Sequence, residues 1–537
     1  MNRNLPQFLK SQNAAISMLL ILTALAVRLT GLSLDSLWFD EVFSVRAAQL
    51  SLGQIVSLTI GDVHPPLYYL LLHFWIRFFG ETETAVRMLS VCFSVLTVLV
   101  VYQLASKLFT RRTAFFAALF TAISPFQVFF AQETRMYSQL AFLSAASFYF
   151  LVLWLRDHTR ASGVLYVIST TVLLYTHIYA VFVVMAQLLY LVSLFRLARD
   201  YFQTRLRRWL TGLSAIGLLF LPWAVVVVRQ TAKANHGYWI QTPDWLAPLQ
   251  TLIEYCGSVW LALLLLPLFV YGVWGSCRAG NDDSNDDKTN SLPHPCALLL
   301  LWLILPIVAP FLLSKLLTPF YLAKYTIAAS LPFYLFAAFG IAQIRNVVWR
   351  AIIVIGICIG AGLILRSDLA SLKRERWRDA AYNVEQSAQP GDLVLFNSTG
   401  SYLSFEYYAK RMDLTQAVFP YSATDEQPVG EFELLRRAGV EGFGSVHPPQ
   451  TEQETEEKLQ KIVNERRRVW LVTRYDEDFK NDFMKAFGNA FRVTTHPALC
   501  VSQRRFLFTE EYSEVAGAFV LEQRGLSCSA QVYLFER

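Results

Sequence analysis

The chain has 537 residues, of which 54% are hydrophobic and only 16% charged, with 40 Phe, 24 Tyr and 13 Trp. Soluble globular domains carry about 25% charged residues, so this composition excludes an ordinary soluble protein. A net charge of +6 gives no sign of nucleic-acid binding, because the Lys and Arg of the first two-thirds sit in short loops between apolar runs.

The basic N-terminus MNRNLPQFLK leads into an apolar run that is long and lacks a clear small-residue cleavage site. It therefore reads as an uncleaved first helix rather than a signal peptide. A bilayer core is spanned by about 20 helical residues. Apolar runs of about that length predict spans at 14–33, 86–106, 113–131, 139–155, 162–176, 178–195, 210–228, 248–274, 297–313, 326–343 and 349–366. They do not alternate as barrel strands do, so the expectation is an α-helical polytopic membrane protein with about 11 transmembrane helices.

Cytoplasmic loops collect Lys and Arg. A cytoplasmic N-terminus puts Lys107, Arg111, Arg112, Arg156, Arg160, Arg196, Arg199, Arg205, Arg207, Arg208, Arg345 and Arg350 inside. The opposite face then holds fewer: Arg46, Arg77, Arg135, Arg229, Lys233, Lys315 and Lys324. The acidic run at 281–287 reads as a cytoplasmic linker. An odd number of spans sends everything after 367 to the outer side.

The expected division is a membrane domain over 1–366, with an outer-face loop at 34–85 carrying interfacial helices, and an extracytoplasmic α/β domain over 367–537. Leu67–Phe79 reads as an amphipathic helix at the interface. In the C-terminal region, strands are expected at 392–397, 468–475 and 530–537, with helices at 377–387, 452–466 and 480–491. No GxGxxG or Walker sequence occurs there. Cys92, Cys256 and Cys358 fall in spans; Cys500 and Cys528 share the water-soluble region, where a disulfide between them is left open.

Four polar clusters gather on the expected outer face. They are Asp40-Glu41; Asp62-Val-His64-Pro65-Pro66-Leu-Tyr68-Tyr69; Gln132-Glu133-Thr-Arg135-Met-Tyr137; and Lys315 with Tyr321-Leu-Ala-Lys324-Tyr325. Ionisable groups at a membrane boundary are costly to desolvate and mark functional sites by default. Carboxylates and cations together suit a substrate with a lipid phosphate and a reacting hydroxyl.

LWFDEVFSV, DVHPPLYYLLLHFWIRFFG with AVRMLS, SPFQVFFAQETRMYSQL and LLYTHIYA resemble the bacterial glycosyltransferases related to protein O-mannosyltransferases and to the aminoarabinose transferase of lipid A. FYLAKYTIAASLPFYLF and WRDAAYNVEQSAQPGDLVLFN extend the likeness, which covers roughly residues 15–400. These enzymes form part of the GT-C superfamily, which uses polyprenyl-phosphate-linked sugars. The resemblance implies a GT-C fold in a bacterial plasma (inner) membrane, with the active site on the extracytoplasmic side. It implies an inverting glycosyltransferase that takes a sugar from a polyprenyl-phosphate donor to a lipid, glycan or protein acceptor.

By motif position the family's first-loop acid maps to Asp40, expected as general base. Glu41 would orient it or bind sugar hydroxyls. Lys324 and Arg135 would be phosphate ligands, with His64, Tyr137 and Tyr325 as neighbouring contacts. Lys324 stands where relatives commonly show Arg, so a point charge replaces a bidentate grip. No cofactor is implied. The acidic pair and His64 offer donors to a divalent metal, but their spacing is no recognised metal motif.

Plainer readings stand beside these. Asp40 could N-cap the following helix, and Glu41 suits a first helical turn. His64-Pro-Pro could simply set the chain direction, and Arg135 and Tyr137 could be interfacial anchors. His177, between Tyr175 and Tyr179, reads as structural, and Trp239 and Trp245 as an interfacial belt. A lipid or polysaccharide transporter or flippase is the alternative function; it should carry ionisable groups mid-span or paired broken helices. A silent scaffold that binds a partner is a third.

Overall fold

A computed structural model describes residues 5–157, 159–197, 203, 206–233, 240–279, 294–370, 375–396, 399–410, 414–418, 468–473, 492–495 and 531–536. The chain divides into two compact units. The first is Met1–Leu32, Val63–Gly80 and Thr84–Ser367; the second is Ser33–Asp62, Glu81–Glu83 and Asp368–Arg537.

The first unit is helical. Among the described residues seven helices are long and apolar enough to cross a membrane: Glu83–Leu108, Tyr137–Asp157, Leu206–Thr231, Val259–Arg278, Pro295–Leu316, Ala323–Gln343 and Val347–Leu369. Arg111–Ile123 and Pro125–Ala131 add an eighth if taken together, bent by 55°. The expected spans at 14–33, 162–176 and 178–195 coincide with the shorter apolar helices Ala14–Leu29, Arg160–Leu174 and Ala180–Phe195. In Leu206–Thr231 and Val347–Leu369 only 17% and 11% of the apolar window is buried, and the helices expose Leu218, Val228, Ile359 and Leu363. Apolar surface on that scale requires hydrocarbon rather than water. This is a multi-pass membrane protein.

The 55° bend follows from Ser124-Pro125. Ser124 N–H closes the first helix on Phe120 O at 3.0 Å, while its Oγ accepts from Gln127 N at 3.2 Å and opens the second. Pro125 has no N–H to continue the first ladder, and its fixed φ suits a first helical turn. One residue thus ends a helix and starts the next in a new direction, towards Gln132 and Arg135.

Helix Ile327–Gln343 is the core of the unit, with 94% of its apolar window buried. Its backbone meets that of Val259–Ala279 at two glycines. A Cβ on Gly272 would lie 1.8 Å from Phe336 O, and one on Gly340 would lie 2.1 Å from Leu268 O. Small residues at a crossing allow helices in lipid to approach until dispersion between backbones holds them. Arg28 ties the first helix to two others, donating to Ser94 Oγ at 2.8 Å and Ala122 O at 2.7 Å. Cys277 and Cys296 form a disulfide across facing helix ends, with Cα atoms 5.3 Å apart. Cys500 and Cys528 lie outside the described residues.

The second unit contains the helices Phe39–Gln49, Leu52–Gly61, Trp377–Ser387 and Thr399–Tyr408, and a sheet of β1 (Leu393–Phe396), β2 (Thr415–Val418), β3 (Arg468–Thr473), β4 (Arg492–Thr495) and β5 (Gln531–Glu536). The strand order is β2-β1-β3-β5-β4. β1 pairs in parallel with β2 and β3, while β5 runs antiparallel to β3 and β4. β1 is buried throughout, LVLF, as a central parallel strand must be. Asp392, just before β1, accepts from Trp470 Nε1 at 2.9 Å and pairs with Arg468 at 3.2 Å, which sets the β1–β3 register. The expected helices at 452–466 and 480–491 fall outside the described residues.

The Gly272 crossing makes a direct prediction. Gly272→Ala forces a methyl against Phe336 O, at a cost of about 1–3 kcal/mol or more in overpacking. The variant should unfold at a lower temperature in detergent. Gly217→Ala, whose Cβ meets nothing within 4 Å, should leave the midpoint unchanged or raise it slightly.

Candidate active site

Four segments distant in sequence converge in the first unit. His64 precedes the Pro65-Pro66 pair that starts Leu67–Phe79, and Leu67 N–H donates to Tyr175 O at 3.3 Å. That bond brings His64 to the turn between two helices that contains His177, with ring centroids 5.5 Å apart. Arg135 follows the bent helix and is 4% exposed. Its guanidinium donates to Tyr69 OH at 3.3 Å and lies 3.5 Å from His64 Nε2. A guanidinium can only donate, so His64 Nε2 is the acceptor and its proton sits on Nδ1. Tyr68, Ser90 and the Arg135 carbonyl form a buried chain at 3.1 and 3.2 Å that supports this segment.

The fourth segment is the 3₁₀ turn Ala323–Thr326. Tyr325 stands 4.9 Å from His177, 6.0 Å from Tyr137 and 6.4 Å from His64 between ring centroids. Lys324 Nζ lies 5.6 Å from the Tyr325 ring and 6.0 Å from the Tyr137 ring. Arg135, Tyr137 and His177 are buried while Lys324 is half-buried, so Lys324 marks the open side of the cluster. The structure thus brings together His64, Arg135, Tyr137, Lys324 and Tyr325, and adds two residues that sequence reasoning did not select, Tyr69 and His177.

His177 lies at the centre of this group. Its Nδ1 accepts from Tyr179 N–H at 3.1 Å within its own turn, and Tyr179 OH anchors the turn by donating to Phe320 O at 2.9 Å. Burial holds the His177 pKa well below the usual histidine value, and His64, Arg135 and Lys324 push the same way. Only the sequence THIY beside two tyrosines hinted at it. Apart from Tyr179, its neighbours come from other segments, so no local signal could have placed it.

Asp40 and Glu41 belong to the second unit. Their helix, Phe39–Gln49, begins one residue before Asp40, with Trp38 as N-cap. Glu41 is fully buried and its Oε2 accepts from Trp38 N–H at 3.4 Å. The capping task therefore falls to Glu41 from the third helical position, as in a capping box. Asp40 caps nothing: only its carbonyl is used, by Ser44 Oγ at 2.8 Å. Its carboxylate is partly exposed and has no hydrogen-bond or ion-pair partner among the described residues. The helix is held to Thr399–Tyr408 by Leu37 N–H on Tyr408 OH at 2.7 Å and by an Arg46–Glu406 ion pair. No group of three metal-ligating side chains occurs among the described residues.

An apolar crevice lined by Phe120, Pro125, Tyr255, Leu261, Tyr334 and Ile357 is lined by none of the cluster residues.

The sequence profile of the dolichyl-phosphate-mannose-protein mannosyltransferase family matches residues 63–239. That range includes His64, Arg135, Tyr137 and His177. No curated protein matches the sequence. By structure, the chain is similar to ArnT from Cupriavidus metallidurans in the apo state, with a TM-score of 0.62 at 13% identity, over 97% of this chain and 98% of that one. It is similar to ArnT from the same organism bound to undecaprenyl phosphate, with a TM-score of 0.57 at 14% identity, over 96% and 97%. The archaeal oligosaccharyltransferase AglB from Archaeoglobus fulgidus, in complex with an inhibitory peptide and a dolichol-phosphate, matches with a TM-score of 0.54 at 13% identity, over 87% and 70%. This is the GT-C fold. The chain resembles the mannosyltransferase and ArnT-like members of that superfamily.

The neutral His177 has a consequence for stability. Because its folded pKa is depressed, the unfolded chain binds more protons below about pH 6.5. Its contribution is complete above that pH and is lost as pH falls towards the folded value, at up to about 1.4 kcal/mol per pH unit. The titratable groups around it, His64, Tyr137, Tyr325, Arg135 and Lys324, are common to wild type and variant. The unfolding midpoint in detergent should therefore drop between pH 7 and pH 5 more steeply in wild type than in His177→Gln.

Proposed function

We propose that the protein is an inverting glycosyltransferase that moves a sugar from a polyprenyl-phosphate donor to an acceptor hydroxyl at the outer face of a bacterial plasma membrane. The observation that carries this reading is the convergence of Arg135, Lys324, His64 and Tyr325 from separate segments into one cationic group. The GT-C fold, which ArnT displays with undecaprenyl phosphate bound, supports it.

In this mechanism Asp40 removes the acceptor proton as the acceptor oxygen forms its bond to the anomeric carbon. The bond from that carbon to the phosphate oxygen breaks on the opposite face, which inverts the centre. The electron pair departs with the lipid phosphate, which gains a negative charge. Arg135 and Lys324 supply the charge that stabilises it. A partly exposed Asp40 with no partner among the described residues suits a base, and Glu41 holds the start of the helix that carries it. The eleven-span layout counts the three shorter apolar helices as spans, with the N-terminus in the cytoplasm and residues 367–537 outside as a separate domain.

On that orientation the Cys277–Cys296 pair, joined in the structure, faces the reducing compartment, where such a bond is kept open as two thiols. In intact cells both should react with a membrane-permeant maleimide; an oxidised pair would invert the orientation. The function itself is tested by turnover of a panel of polyprenyl-phosphate sugars by the purified protein in lipid. Wild type should consume one of them, and Asp40→Asn should lower kcat by about 10²–10⁴-fold. Full activity in the Asn variant would remove Asp40 as base.

A further inference from the structure

The His177 ring presents a buried polar atom that has no hydrogen-bond partner among the described residues. Its Nδ1 accepts from Tyr179 N–H at 3.1 Å. A neutral imidazole carries one proton, so that bond puts the proton on Nε2, at the far edge of the ring. Nε2 is buried and has no hydrogen-bond partner among the described residues, while the whole residue is 1% exposed. Leaving a buried donor unpaired is costly, and an apolar ring of similar size would avoid the cost. A polar ring kept in this place points to a ligand that completes it.

The surroundings state what that ligand is. Tyr325, His64 and Tyr179 pack around the ring at 4.9, 5.5 and 5.6 Å between centroids. Arg135 and Lys324 are close enough to act on its charge. Two fixed cations beside an N–H donor form an acceptor-seeking group, and an anion with several oxygens satisfies all three. The depressed pKa of His177 fits this arrangement: the imidazole adds a donor without adding a third positive charge that would repel the other two.

We infer that His177, through Nε2–H, is a direct phosphate ligand of the substrate, held in the required tautomer by the Tyr179 backbone. The inference rests on the proposed donor chemistry and adds a residue to it. Lys324, half-buried at the rim, and Arg135, deeper, take phosphate oxygens as charged donors; His177 takes a further oxygen. The recognised chemistry is a phosphate oxygen, whether on a lipid phosphate or on free phosphate.

Asn and Gln separate the two ring nitrogens. His177→Asn keeps a group near Nδ1 and loses the Nε2 donor, whereas His177→Gln places an amide N–H near Nε2. The probes are undecaprenyl phosphate, titrated into full-length protein in nanodiscs, and inorganic phosphate as competitor. Wild type should bind the lipid phosphate. His177→Asn should bind it about 10- to 100-fold more weakly, as expected for one hydrogen bond to a charged group, and His177→Gln within about threefold of wild type. Inorganic phosphate should compete only weakly; equal affinity for it would overturn the assignment to a lipid phosphate.

Unchanged affinity in His177→Asn overturns the inference. So does equal weakening in both variants, which would make the ring a packing element. A measurement on the wild type stands if Gln disturbs the turn: the nitrogen-15 resonance of His177 Nε2 should shift when undecaprenyl phosphate is added, and a constant resonance overturns the inference. Failure of wild type itself to bind either probe would instead sink the proposed donor chemistry.

Discussion

A seam of buried hydrogen bonds along helix Ile327–Gln343 holds the cationic cluster in place. Ser330 Oγ accepts from Gln127 Nε2 at 2.8 Å, and Tyr334 OH meets Ser124 Oγ at 2.6 Å. Both partners sit at the bend before Arg135. One turn earlier, Tyr255 OH donates to Thr326 O at 2.9 Å and fixes the 3₁₀ turn that carries Lys324 and Tyr325. The same helix therefore positions both cations. Water does not compete for such bonds inside a membrane, so each resists slippage by one residue more than its modest energy suggests. The glycine crossing at Gly272 and Gly340 supports this: only a bare backbone lets the neighbouring helix close over the seam.

Much of this was legible in the sequence, and the pattern of what was not is physical. Long apolar runs locate spans because hydrocarbon thickness imposes a length on them. Strands were expected at 392–397, 468–475 and 530–537, and occur at Leu393–Phe396, Arg468–Thr473 and Gln531–Glu536. His64, Arg135, Tyr137, Lys324 and Tyr325 stood out because polar residues are scarce at greasy helix ends. Contacts between segments left no such trace. Arg135 with Tyr69, His177 with Tyr325, and Gly272 with Phe336 each depend on a crossing that periodicity does not report. Cys277 and Cys296 are 19 residues apart, and nothing local marked them as neighbours.

The acidic pair shows a finer limit. Sequence patterns place helix ends only to within a residue or two, and at Asp40-Glu41 one residue decides the chemistry. A helix starting after Asp40 would use Asp40 as its cap. The helix instead starts at Phe39, and the backbone donor at Trp38 is met by Glu41. Adjacent carboxylates thus have different environments: Glu41 is buried in the helix's own hydrogen bonding, and the Asp40 carboxylate has no hydrogen bond among the described residues.

The cluster and the acid also differ in how their environments treat charge. Arg135 can stay charged under burial because its two terminal nitrogens find Tyr69 and His64, and guanidinium groups hold their proton under most conditions. Lys324 sits at the half-buried rim, where an ammonium loses less hydration. His177 is more enclosed than either cation and meets the cost of burial by remaining neutral. A phosphate entering from the Lys324 side would thus meet charge first and a neutral donor last. That order lets long-range attraction recruit the anion, and leaves the final distance and orientation to a hydrogen bond whose geometry the Tyr179 backbone has already set.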